Sequence, residues 1–172
     1  MKHDKQLELI DLLHAQIDKG ESQMFDSLTR IPVETYFSES KLSDEIDSLF
    51  KRYPLALGMS HELPGPGHYL TNDRAGVPVL MTRAEDGEVR AFLNVCRHRG
   101  AKVVTEEKGE VRKVMSCPYH GWSYGLDGEL KHIPTPAAFE DVDRSCHGLR
   151  QLPACERHGI VWVQLAPDLP FD

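Results

Sequence analysis

Two short stretches of the chain each place a cysteine close to a histidine. The first, "NVCRHRGAKVV", contains Cys96 and His98, and the second, "SCPYHGW", contains Cys117 and His120. Thiolate sulfur and imidazole nitrogen are the ligands that zinc and some iron–sulfur centres take from proteins. The two stretches therefore offer four candidate ligands for an inorganic centre.

The spacing within each stretch bears on which centre it could hold. One residue separates Cys96 from His98, and two separate Cys117 from His120. Four such ligands can bind tetrahedral zinc, but zinc sites more often have C-x-x-C spacing, and a one-residue gap is awkward around one small ion. A two-iron cluster fits better, since each stretch then gives its cysteine to one iron and its histidine to the other. The alternatives to a two-iron cluster are a zinc site and four residues that bind no metal.

Short apolar runs separated by turn residues make up the chain from Leu55 onward, which predicts a mainly β fold. The runs are "LALGM", "HYLTN", "VPVLMTR", "VRAFLNV", "RKVMSC", "GWSYGLDGELK" and "GIVWVQLA". The turn signals are Pro64-Gly65-Pro66-Gly67, Asp86-Gly87, Lys108-Gly109 and Asp127-Gly128. This pattern predicts an antiparallel sandwich or small barrel, with each cysteine–histidine pair in a loop where a strand ends.

Two amphipathic helices are predicted before the strands. Apolar residues recur at helical spacing from Leu7 to Ile17, and the first helix should end near Gly20. A second fits "SKLSDEIDSLFKR". We expect both to cover a core, with a subunit contact as the alternative. The predicted organisation is a helical extension over 1–53, a domain over 54–167 with a cluster-binding subdomain at about 94–125, and a tail over 168–172.

Composition restricts the possible classes of protein. With 172 residues, of which 40% are hydrophobic, the chain can bury one good core. Its 27 acidic residues against 20 Lys and Arg give a net charge of −7, which argues against a nucleic-acid partner. We read no secretory signal and no membrane span. A cytoplasmic location is therefore expected, and in that compartment cysteines stay reduced.

The stretches "NVCRHRGA" and "CPYHGWSYGLDGEL" together resemble the Rieske domain at the N-terminus of the large (alpha) subunit of bacterial Rieske non-haem iron oxygenases, the aromatic-ring-hydroxylating enzymes. The similarity extends from about Tyr36 to "GIVWVQLAP". It implies a Rieske-type antiparallel β-sandwich with a small cluster-binding subdomain and N-terminal helices. It also implies a [2Fe–2S] cluster, with Cys96 and Cys117 on the inner iron and His98 and His120 on the outer, solvent-facing iron.

The same resemblance separates this chain from respiratory Rieske proteins. Those proteins carry an extra disulfide-forming cysteine in each loop, where this chain has Ala101 and Tyr119, and a serine where it has Trp122. Fewer hydrogen bonds to sulfur predict a reduction potential toward the low end of the Rieske range of roughly −150 to +300 mV. Tyr124 matches a tyrosine that donates to a cysteine sulfur in high-potential members and would raise the potential.

Other residues receive weaker predictions. Arg97 and Arg99, which flank His98, would meet a carboxylate, lock a loop or simply be solvated, and Trp122 should pack over the loops. The stretch between the ligand pairs is long for the family, and a hairpin at Lys108-Gly109 would accommodate it. We expect free thiols and surface or structural histidines at the remaining positions: Cys146, Cys155, His61, His68, His132, His147 and His158.

The family performs its oxygen chemistry at a separate mononuclear iron, bound by two histidines and a carboxylate. No histidine pair outside the two loops has that spacing, so we predict no catalytic residues here.

One hypothesis is that the chain is the Rieske portion of a larger oxygenase. It would take electrons from a ferredoxin or reductase and pass them to an oxygenase catalytic domain, often in a neighbouring subunit of a trimer. The alternatives are a stand-alone Rieske ferredoxin and a binding module without redox function. The N-terminal extension favours the hypothesis that the chain is the Rieske portion of a larger oxygenase.

Overall fold

The structure, a computed structural model, describes residues 1–21, 27–169 and 171. It divides into two compact units, Met1–Ser38 and Glu39–Asp172. Helix α1, His3–Lys19, lies in the first unit. All of the described strands and both cysteine–histidine stretches lie in the second unit. The domain boundaries predicted from the sequence stay predictions.

Both predicted helices are present. Helix α1 ends at Gly20, which adopts φ +64° and donates its N–H to the carbonyl of Ile17. Helix α2, Glu39–Glu45, continues into a π-helical turn, Ile46–Phe50. Neither element buries any of its residues, so the expected core-covering role is not seen in the described part of the chain. None of the described helices has the length and apolarity required to cross a bilayer.

The strands form three antiparallel sheets, which confirms the mainly β prediction. They are β1 Leu55–Met59, β2 His68–Asn72, β3 Val79–Arg83, β4 Val89–Leu93, β5 Lys108–Glu110, β6 Val114–Ser116, β7 Ser123–Gly125, β8 Leu130–His132, β9 Gln151–Leu152, β10 Ala154–Arg157 and β11 Ile160–Val163. The five-stranded sheet has the order β5-β2-β3-β4-β9, and the smaller sheets have the orders β1-β11-β10 and β6-β7-β8.

The turn predicted at Lys108-Gly109 is wrong. Lys108–Glu110 form strand β5, in which Gly109 pairs with Tyr69 of β2. A Cβ atom on Gly109 would lie 2.5 Å from the Tyr69 hydroxyl, so this glycine allows a tyrosine to pack across the strand pair. Strands β9 and β10 were not predicted, because both are short and Pro153 interrupts the pattern between them.

The five-stranded sheet is the middle layer of the fold. Successive residues of a strand point to opposite faces, and Val79 and Met81 of β3 pack with Val161 and Val163 of β11 on one face. On the other face, Leu80 joins a second buried cluster. That cluster contains Tyr69, Phe92, Met115, Trp122, Tyr124, Leu130 and both candidate cysteines, Cys96 and Cys117. The candidate site is therefore built on one face of the central sheet.

Thr82 of β3 ties the central sheet to the small sheet β6-β7-β8. Its side chain is fully buried, and its hydroxyl donates to the carbonyl of Leu126 at 2.7 Å. Leu126 lies in the turn between β7 and β8. This bond adds to the packing that holds the sheet carrying the second cysteine–histidine stretch.

Replacing Thr82 by Val should lower the free energy of unfolding by ~1 to 3 kcal/mol, because the Leu126 carbonyl loses its donor in a buried environment. Urea denaturation measures this change. Thr71→Val is the matched control, since the Thr71 hydroxyl bonds to the Glu106 carbonyl at an exposed position where water can replace it. Equal losses from both variants would contradict the role given to Thr82.

Candidate metal centre

The two cysteine–histidine stretches fold into the same turn. In each, the cysteine N–H donates to the carbonyl five residues later, and the glycine four residues after the cysteine donates back to the cysteine carbonyl. The bonds are Cys96 N to Ala101 O at 2.7 Å, Gly100 N to Cys96 O at 2.9 Å, Cys117 N to Trp122 O at 2.9 Å and Gly121 N to Cys117 O at 2.9 Å. The two turns thus present their cysteines in matching ways.

Glycine is required at the same place in both turns. Gly100 has φ +75° and Gly121 has φ +70°, in the left-handed region that other residues adopt at a cost. A Cβ atom on Gly121 would also lie 2.9 Å from the ring of Pro134. These glycines reverse the chain just after each histidine and return it toward the core.

The structure brings the four candidate ligands together. Cys96 and Cys117 are each 3% exposed and lie in the same buried cluster. The rings of His98 and His120 lie at the tips of the turns, with centroids 4.7 Å apart. The arrangement presents two buried thiols beneath two imidazoles, which is the donor set of an asymmetric two-iron cluster.

The surroundings of His98 favour its neutral, metal-binding form over its charged form. Partial burial, together with His120 and Arg99, lowers the pKa of His98, so this ring stays neutral and can bind a metal. Burial raises the pKa of the Cys117 thiol, while the N–H groups of Tyr119 and His120 oppose that shift. Binding of iron would displace the thiol proton, and those N–H groups would then face a thiolate.

In the described part of the chain, no set of three or more His, Cys, Asp or Glu side chains surrounds a single ion position. A [2Fe–2S] cluster takes only two protein ligands at each iron, so its four ligands need not surround one ion position. The donor set present fits the two-iron centre that was predicted from the spacing.

Tyr124 is placed to donate a hydrogen bond to Cys96. Its side chain is fully buried, with Oη 3.3 Å from Cys96 Sγ and 3.0 Å from the backbone N of Arg97. Since the hydroxyl oxygen accepts the Arg97 N–H, its own proton is free to point at sulfur. Burial and the neighbouring Cys96 both raise the pKa of Tyr124, so the donor stays protonated.

Asn94 closes the first loop and was missed by the sequence analysis. Its fully buried side chain accepts the N–H groups of Val103 and Val104, at 3.0 and 3.1 Å, and donates to the Val104 carbonyl at 2.7 Å. Asparagine often replaces backbone partners in this way where a strand ends. In the sequence, the feature that points to this role is the position of Asn94 two residues before Cys96.

Aromatic rings cover one side of the site. Trp122 is 3% exposed, and its ring lies parallel to that of His98, with an interplanar angle of 7° and centroids 5.1 Å apart. The predicted packing of Trp122 over the loops is confirmed. Phe139, which the sequence analysis did not single out, lies edge-on to His98 at 5.5 Å. No spacing relates Phe139 to the loops, so only the folded chain reveals this contact.

The remaining predicted residues lie around or away from the site. Arg97 and Arg99 are exposed and form no ion pair with any described residue. Cys146 and Cys155 are free thiols, the first exposed near Asp143 and the second in β10. His147 bonds to the Asp143 carbonyl at 2.7 Å, and its ring is 6.2 Å from that of Trp122.

Comparison with known proteins agrees with this geometry. The sequence model of the Rieske [2Fe-2S] domain matches residues 54–153, more than half of the chain. The chain belongs to this family. Its cofactor is accordingly a Rieske-type [2Fe–2S] cluster, and the Rieske-type antiparallel β-sandwich is confirmed.

Relatives and solved structures are oxygenase subunits. The chain is 39% identical over 126 residues to the glycine betaine monooxygenase oxygenase subunit of Chromohalobacter salexigens, covering 73% of this chain and 28% of the relative. It is 37% identical over 127 residues to the naphthalene 1,2-dioxygenase large oxygenase component of Pseudomonas aeruginosa, covering 72% and 28%. A solved quaternary ammonium Rieske monooxygenase, described in terms of carnitine oxidation and inter-subunit electron transfer, is 28% identical with a TM-score of 0.73, covering 80% and 37%.

The matches cover only part of the length of each relative. The chain spans about three tenths of the length of the curated relatives it matches. It is a Rieske domain similar to the N-terminal part of oxygenase large subunits, as the sequence predicted.

Asn94→Ala should lower the free energy of unfolding by ~2 to 4 kcal/mol, since it leaves two buried N–H groups without an acceptor. It should also reduce the iron content of the purified protein, because the loop that carries Cys96 loses its closure. Thermal unfolding and iron analysis measure the two effects. Asn72→Ala, which removes the bond to the Leu57 carbonyl and the bond from the Arg74 N–H, both outside the two turns, should leave the iron content unchanged.

Tyr124→Phe should lower the reduction potential by about 20 to 60 mV, because a hydrogen bond to sulfur stabilises the reduced, more negative state and is worth roughly 1 kcal/mol. Protein-film voltammetry measures the shift. Tyr69→Phe removes a hydroxyl from the same buried cluster without a described contact to either cysteine, and it should leave the potential unchanged. An unchanged potential in Tyr124→Phe would refute the donor role.

Proposed function

We propose that Cys96, His98, Cys117 and His120 bind a Rieske [2Fe–2S] cluster, with the cysteines on the inner iron and the histidines on the outer iron. The observation that carries this proposal is the pair of matching turns, which bury two thiols and bring two imidazole rings to 4.7 Å. When bound, the cluster accepts and releases one electron at a time. The domain would therefore carry single electrons.

Each group around the site has a distinct part in this function. The thiols of Cys96 and Cys117 lie in the buried core, where they would hold an iron away from water. His98 and His120 lie at the tips of the turns, and a partner can approach His120 because it is exposed. Tyr124 donates to Cys96, and Trp122 shields one face of His98. The protein thus buries the two thiols and leaves His120 exposed.

We further propose that one electron at a time enters from a ferredoxin or reductase and leaves for a mononuclear iron in an oxygenase catalytic domain. The oxygenase relatives support this acceptor over a stand-alone ferredoxin role. The solved monooxygenase described for inter-subunit electron transfer supports an acceptor in a neighbouring subunit, as in the trimer expected from the sequence. A cytoplasmic location is part of the proposal, and the free thiols of Cys146 and Cys155 support it.

The substrate of the full assembly is not specified by this domain. The chain has 39% identity to a glycine betaine monooxygenase subunit and 37% identity to a naphthalene dioxygenase subunit, whose names refer to chemically unlike compounds. A domain that only transfers electrons makes no contact with substrate, so its sequence need not follow substrate chemistry.

Cys117→Ala and His120→Ala should each abolish cluster binding, since each removes one of two protein ligands from an iron. Protein purified without air and reduced with dithionite should contain two irons and two sulfides per chain in the wild type and give a rhombic EPR signal with an average g typical of mixed nitrogen–sulfur ligation. Both variants should lose this signal.

Cys155→Ala is the matched control, because Cys155 is a partly buried free thiol in β10. It should keep the iron, the sulfide and the spectrum of the wild type. A normal [2Fe–2S] spectrum in Cys117→Ala or His120→Ala, or one zinc per chain in the wild type, would contradict the proposed ligand set.

A further inference from the structure

The two histidines of the site have unequal surroundings. His98 is half-buried, with Trp122 stacked on its ring at 5.1 Å and Phe139 edge-on at 5.5 Å. His120 is exposed. Apart from the ring of His98, the described aromatic ring beside it is that of Tyr119, at 3.8 Å, which is itself 59% exposed. Water therefore reaches one imidazole much more readily than the other.

Phe139 reaches His98 from outside the two cysteine–histidine turns. It ends a short 3₁₀ turn, Pro136–Phe139, in the segment that follows strand β8. Its ring also meets Trp122 edge-on at 5.5 Å, with an interplanar angle of 85°. Phe139 and Val142 both pack against the buried cluster that contains the cysteines, and the Val142 N–H bonds to the Phe139 carbonyl at 3.1 Å. The segment is thus anchored over the site.

Together, the two aromatic side chains enclose His98 from different directions. Trp122 covers the face of the imidazole, while Phe139 stands perpendicular to it at 90°. Trp122 belongs to the second turn and is held by its carbonyl bond to Cys117. Phe139 belongs to neither turn, so it can be changed without replacing a residue of either turn.

We propose that Phe139 excludes water from His98 and thereby lowers the reduction potential of the site. This inference rests on the proposed function, in which His98 binds the outer iron. Gaining one electron makes the site more negative by one charge, and water stabilises that charge better than an apolar ring does. A dry imidazole therefore disfavours the reduced state. Phe139 is a positioning residue, since it affects the reduction potential through the surroundings of His98 and not by binding iron itself.

Phe139→Ala tests the proposal in the intact chain. It should raise the reduction potential, with the ratio of reduced to oxidised protein at a fixed applied potential increasing at least threefold, which is about 30 mV for one electron. Deuterium modulation of the EPR signal in D₂O should also increase, because exchangeable protons come closer to the reduced site. Phe139→Leu keeps part of the apolar cover over His98, so it should raise the potential by less than Phe139→Ala does but by more than a control variant.

Val142→Ala is the matched control, since it trims the same segment where it packs on the same cluster but has no described ring contact with His98. It should leave the potential unchanged. Tyr119→Ala removes the ring beside the exposed His120 and should shift the potential less than Phe139→Ala does. An unchanged potential in Phe139→Ala, an equal shift in Val142→Ala, or a larger shift in Tyr119→Ala would overturn the proposal.

The outcomes also separate this inference from the proposed function. A wild type without two irons per chain would contradict both. A wild type with a normal Rieske spectrum and a Phe139→Ala variant with unaltered potential and deuterium modulation would contradict the water-excluding role alone. If Phe139→Ala yields no folded protein, Phe139→Leu compared with Val142→Ala decides, because a smaller aliphatic side chain at position 139 should still shift the potential upward while the control does not.

Discussion

The geometry of the site depends on a turn that the chain makes twice. In each turn the cysteine N–H is bonded to the carbonyl five residues later, and a glycine in the left-handed region reverses the chain between them. The cysteine is thereby held inside the core while the histidine before the glycine is held at the tip. Because both turns have the same hydrogen bonds, the two thiols lie together in the core and the two imidazoles lie together at the tips of the turns.

The rest of the fold keeps these turns in register. The first turn leaves β4 of the central sheet and is closed by Asn94, whereas the second joins β6 to β7 of the small sheet. The buried cluster that includes Phe92, Met115 and Tyr124 packs the two sheets together, and Thr82 adds a buried hydrogen bond between them. Relative movement of the two sheets would separate the thiols. The geometry of the site therefore depends on the packing of the core.

The same core makes the site asymmetric. Tyr124 reaches Cys96 from below, and Trp122 and Phe139 cover His98 from the side. His120 faces solvent with Tyr119 beside it. A domain that exchanges electrons needs one accessible edge for a partner and a controlled dielectric elsewhere, because solvent access influences the redox potential of a metal site. The unequal environments of the two histidines satisfy both needs.

The sequence alone determined the four candidate ligands, the family and most strands, because cysteine–histidine spacing, turn glycines and alternating apolar residues are local features. It also indicated Trp122 and Tyr124 through the family resemblance. The turn predicted at Lys108-Gly109 was wrong, because Gly109 lies in strand β5 and makes room for the Tyr69 side chain. Only the tertiary structure decided the closure by Asn94, the cover by Phe139 and the unequal exposure of the histidines, since these depend on contacts between segments whose spacing in the chain carries no local signal.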